Sequence, residues 1–201
     1  MKEVVTVRFL GQCLPRNPGG IACYAYIIRN KEGQLLHESC GLAADPNSQS
    51  STNSVATYTA LIRALEWLIK NDYSNDIIKV YGNSKLVISQ INEGEVGAAI
   101  RSSSTNKNNI SKNTLPLLMK VMKLKSKFYY ISFELNNEND NRHIDDKEVE
   151  ELSVLAYVEA KTKILKQNGS GLNNINDKNR QELKKKLFST AAELMMSAAA
   201  K

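Results

Sequence analysis

Apolar residues along the first half of the chain switch between two spacings. Alternating or continuous apolar and β-branched residues, bounded by Gly, Pro and Asn, predict three successive strands at 4–10, 21–28 and 34–41. Apolar residues then recur at helical spacing from about Ser54 to Ile69, and residues 76–82 have the pattern of a buried strand. We therefore predict a hairpin-connected sheet that gains a further strand after a helical crossover.

The second half of the chain adds further helices and a fifth strand. Apolar positions after Ser84 predict a helix that ends near Ile91, and the Gly, Ser and Asn content of 93–113 predicts a loop. Periodicity then predicts three elements, a helix, a strand and a helix, at 115–127, 128–133 and 145–166. The whole pattern indicates an α/β fold with a mixed five-stranded sheet flanked by helices.

The C-terminal part of the chain differs from the rest in composition. Residues 167–176 contain Asn-Gly-Ser-Gly and predict a linker. The following stretch, 177–201, predicts an amphipathic helix with an apolar stripe on one side, formed by Leu183, Leu187, Ala191, Leu194 and Met195. We accordingly divide the chain into a domain at 1–166, the linker and a C-terminal helix.

Composition narrows the classes of protein that this chain can belong to. Its three cysteines are odd in number and lack the paired spacing of a zinc site, which favours a reduced protein of the cytoplasm over a disulfide scaffold. No stretch has the apolar length of a membrane span, so we expect no membrane partner. The net charge of +6 favours a polyanionic partner, although many proteins that bind no nucleic acid are equally basic.

Four sequence blocks, in a fixed order, carry the candidate chemistry. They are Leu10-Gly11-Gln12-Cys13-Leu14-Pro15-Arg16-Asn17-Pro18-Gly19-Gly20, Ser51-Thr52-Asn53-Ser54-Val55-Ala56-Thr57-Tyr58-Thr59-Ala60-Leu61, Val80-Tyr81-Gly82-Asn83-Ser84-Lys85-Leu86-Val87 and Lys147-Glu148-Val149-Glu150-Glu151-Leu152-Ser153. Together they resemble type 1 ribonuclease H in its short archaeal and bacterial form, and the wording of the first block is typical of archaea. The resemblance covers about residues 4–160 and implies a ribonuclease H-like sheet.

The resemblance also implies where catalytic carboxylates should lie. In that family four carboxylates hold two divalent metal ions, which require hard, negatively charged oxygen ligands. The matching positions here are Leu10, Thr57, Asn83 and Glu150, of which only the last is acidic. We therefore expect no metal, no cofactor and no catalytic residue, and we expect the chain to be a pseudoenzyme.

Positions that contact RNA in the family are largely retained. The resemblance assigns RNA contacts to Cys13, Asn17, Asn53, Ser84 and Lys85. The asparagines are also ordinary turn and cap residues, so a structural role remains open. Basic side chains of the predicted loop and helix form a second candidate set for binding the phosphate backbone, namely Arg101, Lys107, Lys120, Lys123 and Lys127.

Three functional hypotheses follow from these observations. The first is an inactive ribonuclease H-like module that binds RNA or a ribonucleoprotein particle, with the ribosome as one candidate. The second is a weak or altered metal-dependent nuclease acting on RNA–DNA hybrids through Glu150 and a neighbour such as Asp146 or Glu148. The third is an adaptor that binds a protein partner through 177–201.

Overall fold

The computed structural model describes residues 2–103, 113–136 and 144–167, with the backbone alone for 95–103, Ile144 and Gln167. The strands are β1 (Val4–Leu14), β2 (Ile21–Asn30), β3 (Leu35–Leu42), β4 (Ile77–Gly82) and β5 (Tyr130–Leu135). The helices are α1 (Asn53–Lys70), α2 (Lys85–Ser103), α3 (Leu115–Lys125) and α4 (Ile144–Gln167), and a short 3-10 helix covers Tyr73–Asn75.

The five strands form one sheet in the order β3-β2-β1-β4-β5. The hairpin-connected strands β1, β2 and β3 pair antiparallel. Strands β4 and β5, each of which follows a helical connection, pair parallel to β1 and to each other. This arrangement confirms the predicted mixed five-stranded sheet.

Helices cover the two sides of the sheet unequally. The main core packs β1, β2, β4 and β5 against α1, α2 and α3, and β1 contributes Val5, Val7 and Phe9 to it. Helix α4 packs on the opposite side, against β1, β2 and β3. Because side chains alternate along a strand, Arg8, Leu10 and Gln12 point to this second side, which we call the α4 face.

Helix α1 begins where the sequence predicts and lies very close to β1. The Thr52 side chain accepts a hydrogen bond from the Val55 N–H at 3.1 Å and caps the helix. A Cβ atom on Gly11 would lie 2.0 Å from the Thr57 backbone nitrogen, so only glycine permits this contact. The contact fixes α1 against the C-terminal half of β1.

Several predicted bounds differ from the structure, and β1 runs through Leu14, four residues beyond its predicted end. Residues 93–103, which the sequence predicts as the start of a loop, belong to α2, and this helix continues past a single non-helical residue, Gly94 (φ 70°). The alanines after this break favour helix, and the Gly, Ser and Asn content of the segment conceals that preference. The fifth strand begins at Tyr130, two residues later than predicted, because the Tyr129 N–H donates to the Ser74 carbonyl before the strand starts.

The domain division is only partly within the described residues. Helix α4 extends through Gln167, one residue beyond the predicted end of the domain. The rest of the predicted linker and the helix at 177–201 lie outside the described residues, so both stay predictions.

The structure also gives the surroundings of the cysteines. Cys13, Cys23 and Cys40 are all unpaired, and the first two are buried. Burial raises the pKa of the Cys23 thiol to about 12, with smaller contributions from Cys40 and Cys13. Among the helices of residues 2–103, 113–136 and 144–167, none combines the length and apolar character needed to cross a membrane.

A row of aromatic rings joins β3 to α1. The His37 imidazole stacks on the Trp67 indole with 4.7 Å between the ring centroids, and the Tyr73 ring lies 5.7 Å from the Trp67 ring. Burial lowers the pKa of His37, and the nearby Glu38 carboxylate opposes this in part. The row closes the edge of the core beside β3.

Candidate nucleic-acid interface

Four positions singled out by the sequence lie around one point of β1. Gly11 touches the backbone of Thr57, and Phe9 pairs with Gly82, the residue before Asn83. On the α4 face, Leu10 packs against Val149, the residue before Glu150. We call Leu10 of β1, together with Thr57, Asn83 and Glu150 from the elements around it, the Leu10 corner.

The side chains at the Leu10 corner do not form a common polar site. Leu10 is 8% exposed and packs in an apolar cluster with Ala25, Ile27 and Val149. Thr57 is buried, and its hydroxyl donates to the Asn53 carbonyl at 2.8 Å. The side chains of Asn83 and Glu150 are exposed. The corner is therefore a packed hydrocarbon contact bordered by a neutral hydroxyl, an amide and one solvated carboxylate.

Three acidic residues in the first turns of α4 are engaged by arginines. Asp146 accepts a hydrogen bond from the Arg8 guanidinium at 2.8 Å and another from the Asn136 amide at 2.8 Å. Asp145 lies 2.9 Å from the Arg29 guanidinium, which also contacts Glu148. These pairs are partly buried, and they hold the first turns of α4 against β1 and β2.

The ion-pair network was not predicted from the sequence. Arg8 and its partner Asp146 lie 138 residues apart, so no local pattern connects them. The position of Arg8 on the same face of β1 as Leu10 was the one available signal, because a cation on a buried strand face needs a partner. Gln12 was missed in the same way, and its amide donates to the Ser153 hydroxyl at 2.6 Å.

The Leu10 corner does not fit a pair of divalent cations. Leu10 has no donor atom, and the Thr57 hydroxyl is committed to a backbone carbonyl. Magnesium requires several hard oxygen ligands, usually with carboxylates among them. Within 2–103, 113–136 and 144–167 no group of three or more His, Cys, Asp or Glu side chains is placed to hold a metal ion.

A chain of hydrogen bonds links the β1–β2 loop to the start of α1. The Cys13 N–H donates to the Asn53 side-chain oxygen, and the Asn53 N–H donates to the Asn17 side-chain oxygen at 3.1 Å. Each asparagine thus uses its oxygen internally, which directs its NH2 group, a donor, away from these contacts. Both side chains are exposed, and no acceptor in the described part of the chain bonds either NH2 group.

Cys13 contributes to this chain through its backbone. Its side chain is 5% exposed, and the sulfur lies 3.1 Å from the Arg16 carbonyl oxygen and 3.2 Å from the Ser51 carbonyl oxygen. The thiol therefore faces the interior of the loop. The structure places Cys13 as a support for Asn53, with the two asparagine NH2 groups at the surface.

Ser84 and Lys85 lie at the start of α2. The Ser84 hydroxyl accepts a hydrogen bond from the Val87 N–H at 3.4 Å, which is a weak cap of the helix. Lys85 is exposed in the first turn. They are the first two residues after Asn83, so they lie beside the Leu10 corner.

The lysines of α3 form a separate group. Lys120 makes an ion pair with Glu66 of α1 at 2.7 Å, whereas Lys123 and Lys127 are exposed without an ion pair among the described residues. Glu66 is thirteen residues beyond Asn53 in α1, a separation of about 20 Å along the helix axis. The structure therefore does not bring these lysines next to the asparagines.

The remaining basic candidates, Arg101 and Lys107, come from the end of α2 and from beyond it. Arg101 belongs to the last turns of α2, where the backbone alone is described. Lys107 lies outside the described residues, so its role stays a prediction.

Comparisons with known proteins agree with this architecture. A family model described as reverse transcriptase-like matches residues 16–146. The N-terminal RNase H domain of a Mycobacterium tuberculosis protein, solved as a fusion with maltose-binding protein, matches with a TM-score of 0.61 and 21% identity over 81% of this chain and 99% of that one.

Two further solved structures match over most of their length. RNase H1 from the halophilic archaeon Halobacterium salinarum NRC-1 has a TM-score of 0.56 and 21% identity, covering 78% of this chain and 98% of that one. LC11-RNase H1, which was isolated from compost by a metagenomic approach, was solved in complex with an RNA/DNA hybrid. It has a TM-score of 0.56 and 24% identity, covering 78% of this chain and 98% of that one. At these identities the matches establish the fold.

Proposed function

The chain belongs to the reverse transcriptase-like, ribonuclease H-like family, and on this premise we propose that it binds RNA without cutting it. The ligand is structured RNA or a ribonucleoprotein particle, with the ribosome as one candidate. A cytoplasmic location is part of the proposal, and the three unpaired cysteines support it. The Leu10 corner supports the absence of cleavage, and the NH2 groups of Asn17 and Asn53 support the binding of RNA.

The packing of Leu10 is the observation that supports the loss of catalysis. A metal ligand at this position would need an oxygen where the structure has a side chain buried among Ala25, Ile27 and Val149. Replacing clustered carboxylates with neutral groups also removes their repulsion of phosphate. The same surface then presents less negative charge against a nucleic-acid backbone.

The direction of the two asparagine amides supports RNA as the ligand. Hydrogen bonds from the Asn53 and Cys13 backbones hold their oxygens, so the NH2 groups of Asn17 and Asn53 can donate to a ligand. A ribose 2′-hydroxyl and a phosphate both accept such bonds, and the 2′-hydroxyl distinguishes RNA from DNA. LC11-RNase H1, whose fold this chain shares, was solved with an RNA/DNA hybrid.

The weak-nuclease alternative has less support. Its candidate ligands beside Glu150 are Asp146 and Glu148, which are engaged by Arg8 and Arg29. Binding a metal ion there would require both arginines to give up partly buried partners, which is unfavourable.

A binding and cleavage experiment tests the proposal. Fluorescence anisotropy compares matched RNA, RNA–DNA and DNA duplexes of about 16 base pairs, long enough to span the roughly 20 Å between the asparagines and the α3 lysines. We expect RNA to bind more tightly than DNA. Asn17→Asp and Asn53→Asp keep an oxygen acceptor for the internal hydrogen bonds and remove the NH2 donor, so the RNA preference should fall by roughly three- to tenfold.

The control is Asn75→Asp, which adds the same charge at an exposed position away from the loop. Its RNA preference should equal that of the unchanged protein. Incubation with an RNA–DNA hybrid in magnesium or manganese should yield no product. Cleavage that Glu150→Gln abolishes would favour the nuclease alternative, and equal, weak binding of all three duplexes would contradict the RNA proposal.

A further inference from the structure

A shallow groove with acidic walls runs between β3 and α4. It has a volume of about 300 Å³ and is lined by Glu38, Glu148, Glu151, Leu152 and Leu155. Leu155 is 36% exposed, which makes it one of the few large apolar side chains of α4 that face solvent. We call this feature the acidic groove, with the two leucines as its floor.

Two of the three carboxylates that line the acidic groove have no cationic partner among the described residues. Glu148 contacts Arg29, but Glu38 and Glu151 form no ion pair with any residue in the described ranges. Glu159, one helical turn beyond Leu155, extends the acidic wall. Burial raises the pKa of the Cys40 thiol between β3 and α4, and the Glu159 and Glu38 carboxylates raise it further. Carboxylates from both elements therefore face the same part of the α4 face.

The C-terminal segment has the complementary pattern. Its apolar stripe, Leu183, Leu187, Ala191, Leu194 and Met195, has the spacing of one helical face, and Lys184 and Lys186 lie on the two sides of that stripe. An amphipathic helix with basic flanks suits a groove with an apolar floor and acidic walls. The complementarity of apolar and charged positions is therefore present within one chain.

We propose that residues 177–195 form an amphipathic helix that docks in the acidic groove of the same molecule. The apolar stripe covers the leucine floor, and Lys184 and Lys186 lie against the carboxylates. This intramolecular contact does not depend on RNA binding.

The length of the connection permits this docking. Glu159 precedes the end of α4 by eight residues, or about 12 Å along the helix. The nine residues at 168–176 can span roughly 30 Å when extended, which is enough to reverse direction and reach the groove. A short flexible tether also gives the segment an effective concentration near the millimolar range, which favours its own groove over that of a second copy.

Hydrogen exchange measured by mass spectrometry on the full chain, without RNA, tests the proposal. Amides of 177–195 should exchange at least about tenfold more slowly than an unstructured peptide of the same sequence. Leu155→Asp places a charge on the groove floor and should remove that protection. Glu151→Lys should reduce it, and adding Lys184→Glu to Glu151→Lys should restore part of it by exchanging the two charges, because Lys184 borders the apolar stripe.

Matched controls separate docking from a general loss of structure. Leu86→Asp changes an exposed leucine of α2, and Glu32→Lys changes an exposed glutamate of the β2–β3 turn; both should leave the protection intact. Protection of 177–195 that survives Leu155→Asp, or its absence in the unchanged protein, would overturn the proposal. Protection that disappears on dilution would assign the segment to the groove of a second copy and would also overturn it.

Discussion

Leu10 lies where β1, β2 and α4 meet, and its surroundings are apolar at every contact described for it. Its neighbours Ala25 and Ile27 belong to β2, and Val149 belongs to α4. An aspartate there could not pack against these side chains and would need a cation or a hydrogen-bond donor as a partner. Arg8, two residues away on the same face, is already engaged by Asp145 and Asp146.

We therefore expect Leu10→Asp to destabilise the protein by about 3 kcal/mol at pH 7, the range typical of an unpaired charge placed in a core. Urea unfolding monitored by circular dichroism measures the change. Leu86→Asp is the matched control, because its leucine is 41% exposed and its replacement should change stability by less than about 0.5 kcal/mol. Equal midpoints for Leu10→Asp and the unchanged protein would mean that Leu10 does not pack as described.

Helix α1 and strand β1 approach each other through Gly11. The nearest atoms to a Cβ at this position are the Thr57 nitrogen at 2.0 Å and the Ala56 carbonyl carbon at 2.3 Å, both in the backbone. Backbone atoms cannot turn aside as a flexible side chain can, so any larger residue must move the helix. The same contact sets the position of Thr57 at the Leu10 corner.

Gly11→Ala should accordingly cost about 3 kcal/mol or more in the free energy of unfolding, because the helix must shift away from the sheet. Chemical denaturation measures it. Gly33→Ala is the control: no atom lies within 4 Å of its Cβ position, so it registers only the cost of φ 78°, about 1 kcal/mol. Similar destabilisation of both variants would contradict the close approach of α1.

Local signals predicted the elements better than the contacts between them. The alternation in β1 and the helical spacing of α1 placed Leu10 and Thr57 on packed faces, as observed. The alanines after Gly94 were outweighed by polar neighbours, so the continuation of α2 was missed. The arginine pairs of α4 could not be predicted, because such pairs depend on which strand face the helix covers and not on any nearby residue.

Charge acts at the scale of the whole molecule. The net charge is +6, but Lys120 is already paired with Glu66, so the cations available to a phosphate backbone are fewer than the sequence indicates. Lys123 and Lys127 remain exposed on and just after α3. If these lysines contact phosphates, they should contribute affinity for any sequence and none of the discrimination between RNA and DNA.

Changing Lys120, Lys123 and Lys127 together to Gln should weaken binding of all duplexes alike. The slope of log affinity against log salt should flatten by about 0.7 to 0.9 for each phosphate that is no longer neutralised, since each neutralised phosphate releases counterions. Anisotropy titrations at three salt concentrations measure the slope. The control, Lys31, Lys163 and Lys166 changed to Gln, removes the same charge from exposed positions elsewhere and should leave the slope unchanged. An unchanged slope in the first variant would exclude these lysines from the interface.

The aromatic row beside β3 has an optical consequence. Trp67, the chain's only tryptophan, belongs to α1. Its ring lies between those of His37, from β3, and Tyr73, from the short 3-10 helix. Indole emission therefore reports the joint position of three elements in one signal. A protonated imidazole quenches indole, and burial lowers the pKa of His37, so quenching of Trp67 should begin at a lower pH than for an exposed histidine.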